Sequence, residues 1–154
     1  VTLPETHVFE DIAPRLADLD GDGMPEVVVI ETEIARGAAL DVAVDLRKGS
    51  PTFGQHQKAL LTEENRWQFW VPEGFAHGFC VLSERVHVEY KCTDFYDPSA
   101  ELTVAWNDPE IGIDWPPLEP VLSAKDATAP SLSEVLERLP VPFGSSLLVV
   151  GSSA

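Results

Sequence analysis

From Gly37 onward the chain is built of short stretches of strand length, each closed by Gly, Pro or Asn, and this punctuation constrains the fold most. Asp41-Val42-Ala43-Val44-Asp45-Leu46 alternates, with Val42, Val44 and Leu46 on one face and Asp41, Ala43 and Asp45 on the other. Gly49-Ser50-Pro51 is turn chemistry, and Thr62-Glu63-Glu64-Asn65 is a turn or a single helical turn. Arg66 to Val71, Phe75 to Leu82 and Val86 to Cys92 follow, each of strand length. Such spacing predicts an all-β sandwich or barrel. One helix breaks the pattern. Ser131-Leu132-Ser133-Glu134 is a capping box, Leu132, Val135, Leu136 and Leu139 recur at helical spacing, and Pro140 ends the run. The apolar stretch Leu147 to Val150 is either a terminal strand or an artificial tail.

Charge narrows the function classes. The 154 residues carry 10 Lys and Arg against 26 Asp and Glu, a formal net charge of −16, which repels phosphate backbones and anionic lipids. Nucleic acid and membrane are therefore not expected as partners. No apolar run approaches the roughly 18–20 residues of a membrane span, and VTLPETHVFE has no signal-peptide pattern. Two cysteines, Cys80 and Cys92, make no disulfide framework and suit a reducing compartment, so a cytoplasmic location is expected. Neither has a flanking His that would mark a nucleophile.

Pro72-Glu73-Gly74-Phe75-Ala76-His77 fits the P-x-G-x-x-H pattern of the second cupin motif, with His77 on a strand pointing into the barrel. Around it stand VAVDLRKGSPTFG, ENRWQFWVPEGFAHGF, YKCTDFYDP, WNDPEIGIDWP and LSAKDA. In that order and spacing, residues 37–139 resemble the second half of the dTDP-4-dehydrorhamnose 3,5-epimerase family, jelly-roll enzymes of bacterial rhamnose synthesis. The resemblance implies a cupin-like jelly roll or β-sandwich with a short C-terminal helix. It implies Tyr90 as the catalytic acid and Asp126 as the carboxylate orienting a histidine base. It further implies His77, Tyr96, Glu101 and Lys125 as nucleotide-sugar contacts, a dTDP-sugar ligand, a homodimer, and no cofactor for the chemistry. The family's basic histidine belongs to an Arg-Gly-Leu-His-type strand, and no such motif precedes Gly37.

Residues 7–34 read differently. Asp18, Asp20 and Asp22 alternate around a Gly turn, followed by Met24 and Glu26, in a stretch that resembles a single FG-GAP (integrin-like) repeat. Oxygen ligands at odd positions suit Ca²⁺, with the Met24 carbonyl and Glu26 completing the set. The expected organisation is a calcium-loop hairpin at 1–36 integrated into the barrel, an epimerase-like segment at 37–139 and a tail at 140–154, joined near Glu31 to Gly37. Without the base-bearing strand, 3,5-epimerase activity is expected to be weak or absent. The alternatives are a non-enzymatic chimeric β-protein, folded and oligomeric, and a calcium-binding interaction module.

Overall fold

The structure is a computed structural model, and it describes residues 7–10, 16–17, 26–27, 30–72, 74–92 and 101–139. Ten strands are described: β1 (His7–Glu10), β2 (Leu16–Ala17), β3 (Glu26–Val27), β4 (Ile30–Arg36), β5 (Ala38–Asp45), β6 (His56–Thr62), β7 (Gln68–Val71), β8 (Phe75–Val81), β9 (His87–Cys92) and β10 (Pro120–Leu122). Five form one sheet in the order β10-β1-β8-β5-β6, three form another in the order β7-β4-β9, and β2 pairs with β3. The fold is the expected all-β jelly roll, closed by one short helix.

The sheets face each other. Ala39, Leu61, Phe79 and Val81 of the larger sheet form a buried cluster against which Phe69, Val86 and Val88 pack. A second buried contact joins Ala43 to Val71, with Phe75 and Cys92 beside it. Alternation along β5 therefore turns Ala39, Asp41, Ala43 and Asp45 toward the space between the sheets. Val42, Val44 and Leu46 lie on the opposite face, under Leu102, Val104, Ile111, Leu132, Val135 and Leu139 of the C-terminal segment. β5 is thus buried on both sides, and its acid-bearing face is the inner one. Burial of each of these aliphatic side chains stabilises the fold by roughly 1.5–3 kcal/mol, so the segment after Glu101 acts as a third layer over the sheet.

Two turns carry the strand order. Gly37 joins β4 to β5 at φ +87°, and a Cβ there would stand 2.2 Å from the Arg85 carbonyl oxygen, so only glycine fits. Ser83 closes the same corner: its hydroxyl receives the Ala38 N–H at 3.0 Å and donates to the Arg85 carbonyl at 2.6 Å.

Several sequence expectations change here. The supposed junction at Glu31 to Gly37 falls inside and just after β4, which pairs with β7 from Ile30↔Val71 to Glu33↔Gln68 and with β9 from Ile30↔Cys92 to Arg36↔His87. A strand hydrogen-bonded on both sides is an interior strand of the fold, not a seam. β1 likewise belongs to the larger sheet, antiparallel to β8 through Phe9↔Cys80 and Glu10↔Phe79 and parallel to β10. The expected helix is a single α-helical turn, α1 (Leu132–Val135), continued by a 3-10 turn at Leu136–Arg138. Leu136 is exposed, while Leu132, Val135 and Leu139 are buried. The apolar stretch at 147–150 lies outside the described residues.

Candidate active site

β8 places His77 on the inner face, two residues after Phe75, in register with Ala43 of β5. Asp41, one inner-face position further along β5, is wholly buried, and its Oδ1 lies 2.6 Å from His77 Nε2. The His77 side chain is 9% exposed. A buried carboxylate at this distance fixes the orientation of the ring through Nε2. Asp41 Oδ2 is buried and has no hydrogen-bond partner among the described residues. A buried acceptor left unpaired costs about 1–3 kcal/mol, so this carboxylate is where the sheet interior departs from stability alone. In the sequence, Asp41 is only one of three residues on a strand face. The signal was present in the alternation, but the partner is 36 residues away and only the β5–β8 register brings it into reach.

At one end of the same face the surroundings are different. Asp45 is 1% exposed and accepts from the Arg47 N–H, Nε and Nη2 at 3.0, 2.9 and 2.8 Å and from the Ser50 and Thr52 hydroxyls, each at 2.6 Å. Burial pushes the Asp45 carboxyl up, but the hydrogen bonds from Arg47, Ser50 and Thr52 together outweigh it and hold the group well below the usual carboxylate range. On the outer face, burial pushes the Cys80 thiol up to about 11, which keeps it protonated near neutrality and removes it as a nucleophile.

The remaining residues singled out from sequence are distributed as follows. Tyr90 lies in β9, opposite Thr32, at the strand position between Val88 and Cys92, both of which pack between the sheets. Asp126 is buried in the C-terminal segment, where its Oδ2 receives the Ser123 hydroxyl at 2.7 Å and its own N–H reaches Ser123 Oγ at 3.1 Å. Glu101 and Lys125 pair through Oε1 and Nζ. They line a cavity of about 220 Å³ together with Leu102, Thr103, Thr128 and Arg138. Tyr96 lies outside the described residues, as do Asp18, Asp20, Asp22 and Met24. Glu26 is in β3, in register with Ala17. The structure thus brings Glu101 and Lys125 together and pairs His77 with Asp41, a partner the motif did not name.

Residues 30–134 match the family described as dTDP-4-dehydrorhamnose 3,5-epimerase. The chain is 55% identical over 103 residues to the dTDP-4-dehydrorhamnose 3,5-epimerase of Salmonella typhimurium, covering 66% of this chain and 56% of that protein. It is 58% identical over 91 residues to that of Neisseria gonorrhoeae, covering 58% of this chain and 28% of that protein. The chain thus spans about half or less of the length of these curated relatives. Among solved structures, the dTDP-6-deoxy-D-glucose-3,5-epimerase of Legionella pneumophila Philadelphia 1, in complex with dTDP-4-keto-L-rhamnose, is 40% identical with a TM-score of 0.78. That likeness covers 88% of this chain and 69% of the Legionella chain. The Mycobacterium tuberculosis epimerase gives a TM-score of 0.79 at 33% identity, again over 88% of this chain.

These findings overturn three expectations. The likeness takes in more of the chain than residues 37–139, so the resemblance is not confined to a second half. An epimerase fold that includes most of the chain leaves no separate FG-GAP repeat, and the calcium site at Asp18, Asp20, Asp22, Met24 and Glu26 falls with it. A continuous epimerase domain also removes the chimera reading and, with it, the argument that activity is lost because half of a domain is absent. The chain belongs to the dTDP-4-dehydrorhamnose 3,5-epimerase family.

Proposed function

We propose that this domain belongs to an epimerase that exchanges protons at carbon beside the keto group of a dTDP-linked 4-keto-6-deoxy sugar, with the sugar held between the sheets at His77. The buried 2.6 Å contact between His77 Nε2 and Asp41 carries the reading, because it fixes a polar ring on the face that the two sheets enclose. Proton exchange at carbon needs proton-transfer groups within reach and a site that keeps water from competing for the proton. The family resemblance gives His77 as a sugar contact and Tyr90 as the acid that protonates the enolate, and the tyrosine recovers its proton from solvent.

The test is deuterium incorporation at C3 and C5 of dTDP-4-keto-6-deoxyglucose in D₂O, followed by NMR. Incorporation above the enzyme-free control is expected, with Tyr90→Phe slowing it by about 10²–10⁴, the usual contribution of a positioned general acid. No incorporation by the unaltered chain, or an unchanged rate in Tyr90→Phe, would overturn the proposal.

A further inference from the structure

We propose that Arg138 is a phosphate-binding residue that the family resemblance does not name, gripping the diphosphate of the nucleotide sugar beside Lys125. The proposal rests on the reading of the domain as part of an enzyme that acts on a dTDP-linked sugar.

Glu101, Thr103, Lys125, Thr128 and Arg138 line one cavity of about 220 Å³. That is below the roughly 300–1,000 Å³ of a pocket enclosing a whole small ligand, so it takes one part of a larger molecule. Its walls are tied down. Leu102 and Val104 are buried in the cluster over Val42 and Val44, and the alternation leaves Glu101 and Thr103 to the cavity. The Ala105 N–H donates to the Pro130 carbonyl at 2.7 Å, which joins this wall to the opposite one. There the Thr128 hydroxyl donates to the Ala124 and Lys125 carbonyls at 3.0 and 3.3 Å, and Lys125 Nζ pairs with Glu101 Oε1. Arg138 ends the 3-10 turn, next to Leu139, which is buried and bonds back to the Leu136 carbonyl.

Charge at this cavity runs against that of the molecule. In a chain of net charge −16, two cations and one acid on one cavity reverse the local sign. An arginine in a helical turn ordinarily meets the acid four residues before it. Here that acid is Glu134, and its carboxylate is engaged elsewhere, accepting the Ser131 N–H and hydroxyl at 2.7 Å. Arg138 is exposed and has no ion-pair partner among the described residues, whereas Lys125 is balanced by Glu101. The uncompensated charge at the cavity is therefore the guanidinium. Its planar fork matches two oxygens of one phosphate, and an ammonium beside it serves the next phosphate as a point charge. In a dTDP-linked sugar the group with that chemistry is the diphosphate.

Calorimetric titration with dTDP at low ionic strength reads the contact directly. Arg138→Gln is expected to weaken dTDP binding about tenfold, the loss of roughly one charge-assisted hydrogen bond. Arg66→Gln removes the same charge from the exposed turn between β6 and β7 and is expected to leave the affinity unchanged. In turnover, Arg138→Gln is expected to raise KM with kcat little changed, the pattern of a contact made equally in ground and transition states. Unchanged dTDP affinity in Arg138→Gln, an equal loss in Arg66→Gln, or no dTDP binding by the unaltered chain overturns the inference. So does inorganic pyrophosphate that binds alongside dTDP and alone responds to Arg138→Gln, since the cavity then holds a free anion. Binding of dTDP that depends on Arg138 in a chain without deuterium exchange upholds the phosphate contact and refutes the epimerase reading instead.

Discussion

Asp41 and Asp45 share the inner face of β5, yet their surroundings give them opposite characters. Asp45 is saturated by Arg47, Ser50 and Thr52, whereas Asp41 offers one oxygen to His77 and has Oδ2 unpartnered among the described residues. Saturation favours the ionised form, and so the Asp45 carboxyl is held well below its ordinary value of 3.8. A group depressed in the folded state adds stability that is fully present above its unfolded value and is lost as pH falls below it. Urea melts should therefore show stability constant from neutrality to about pH 5, then falling steadily below pH 4. Asp45→Asn is expected to flatten that acid limb and to cost about 1–3 kcal/mol at pH 7, since it leaves the half-buried Arg47 and the Ser50 and Thr52 hydroxyls without a charged acceptor. A variant with an acid limb as steep as the original would assign the acid sensitivity to another carboxylate.

The helical turn shows how a short element borrows its stability. Four residues are too few to hold themselves in water, because helix formation has a costly nucleus. The capping box read from sequence is present, with Glu134 Oε2 accepting both the N–H and the hydroxyl of Ser131 at 2.7 Å. Those bonds hold the Glu134 carboxyl below its ordinary value. The decisive cap comes from elsewhere. Asp108, buried in the preceding segment, accepts the Leu132 N–H at 2.8 Å through Oδ2 and the Glu110 N–H at 2.8 Å through Oδ1. One carboxylate thus joins the loop before Ile111 to the helix that covers Val42 and Val44. Asp108→Ala should cost about 1–3 kcal/mol by stranding these amides. Hydrogen exchange should quicken first at residues 132–139, and uniform quickening across the barrel would show that the cap is not local.

At the scale of the molecule, two of the strand edges among the described residues carry exposed apolar side chains. β6 ends the five-stranded sheet and β7 ends the three-stranded one. Beside them Leu60, Trp67 and Trp70 are 48%, 63% and 60% exposed, large apolar side chains that soluble proteins usually cover. We expect two copies of the chain to pair, since two-fold dimers are the commonest closed assembly. Light scattering should give twice the 16.8 kDa chain mass across a concentration series, with Trp70→Lys shifting the balance toward the single chain. A mass of one chain at every concentration would refute pairing.

The amino-acid pattern by itself determined the fold class, the β5 alternation, the turn before His77 and the capping box, because each depends on residues within about ten positions of one another. The family was legible too, since its motifs are contiguous strings such as VPEGFAHGF. What only the tertiary structure decided was the meaning of those pieces. Alternation along β5 separates Val42 and Val44 from Asp41 and Asp45 but cannot say which side is the interior. The C-terminal segment decides that, by covering the aliphatic face and leaving the acids to look inward. The same holds for the stretch before Gly37, where acids around a glycine turn suggested a foreign calcium loop while strand pairing joins β1 and β4 to the two sheets. The physical reason is range: side-chain periodicity and turn chemistry are local, whereas a hydrogen bond such as His77–Asp41 exists only after the β5–β8 register has closed a 36-residue loop.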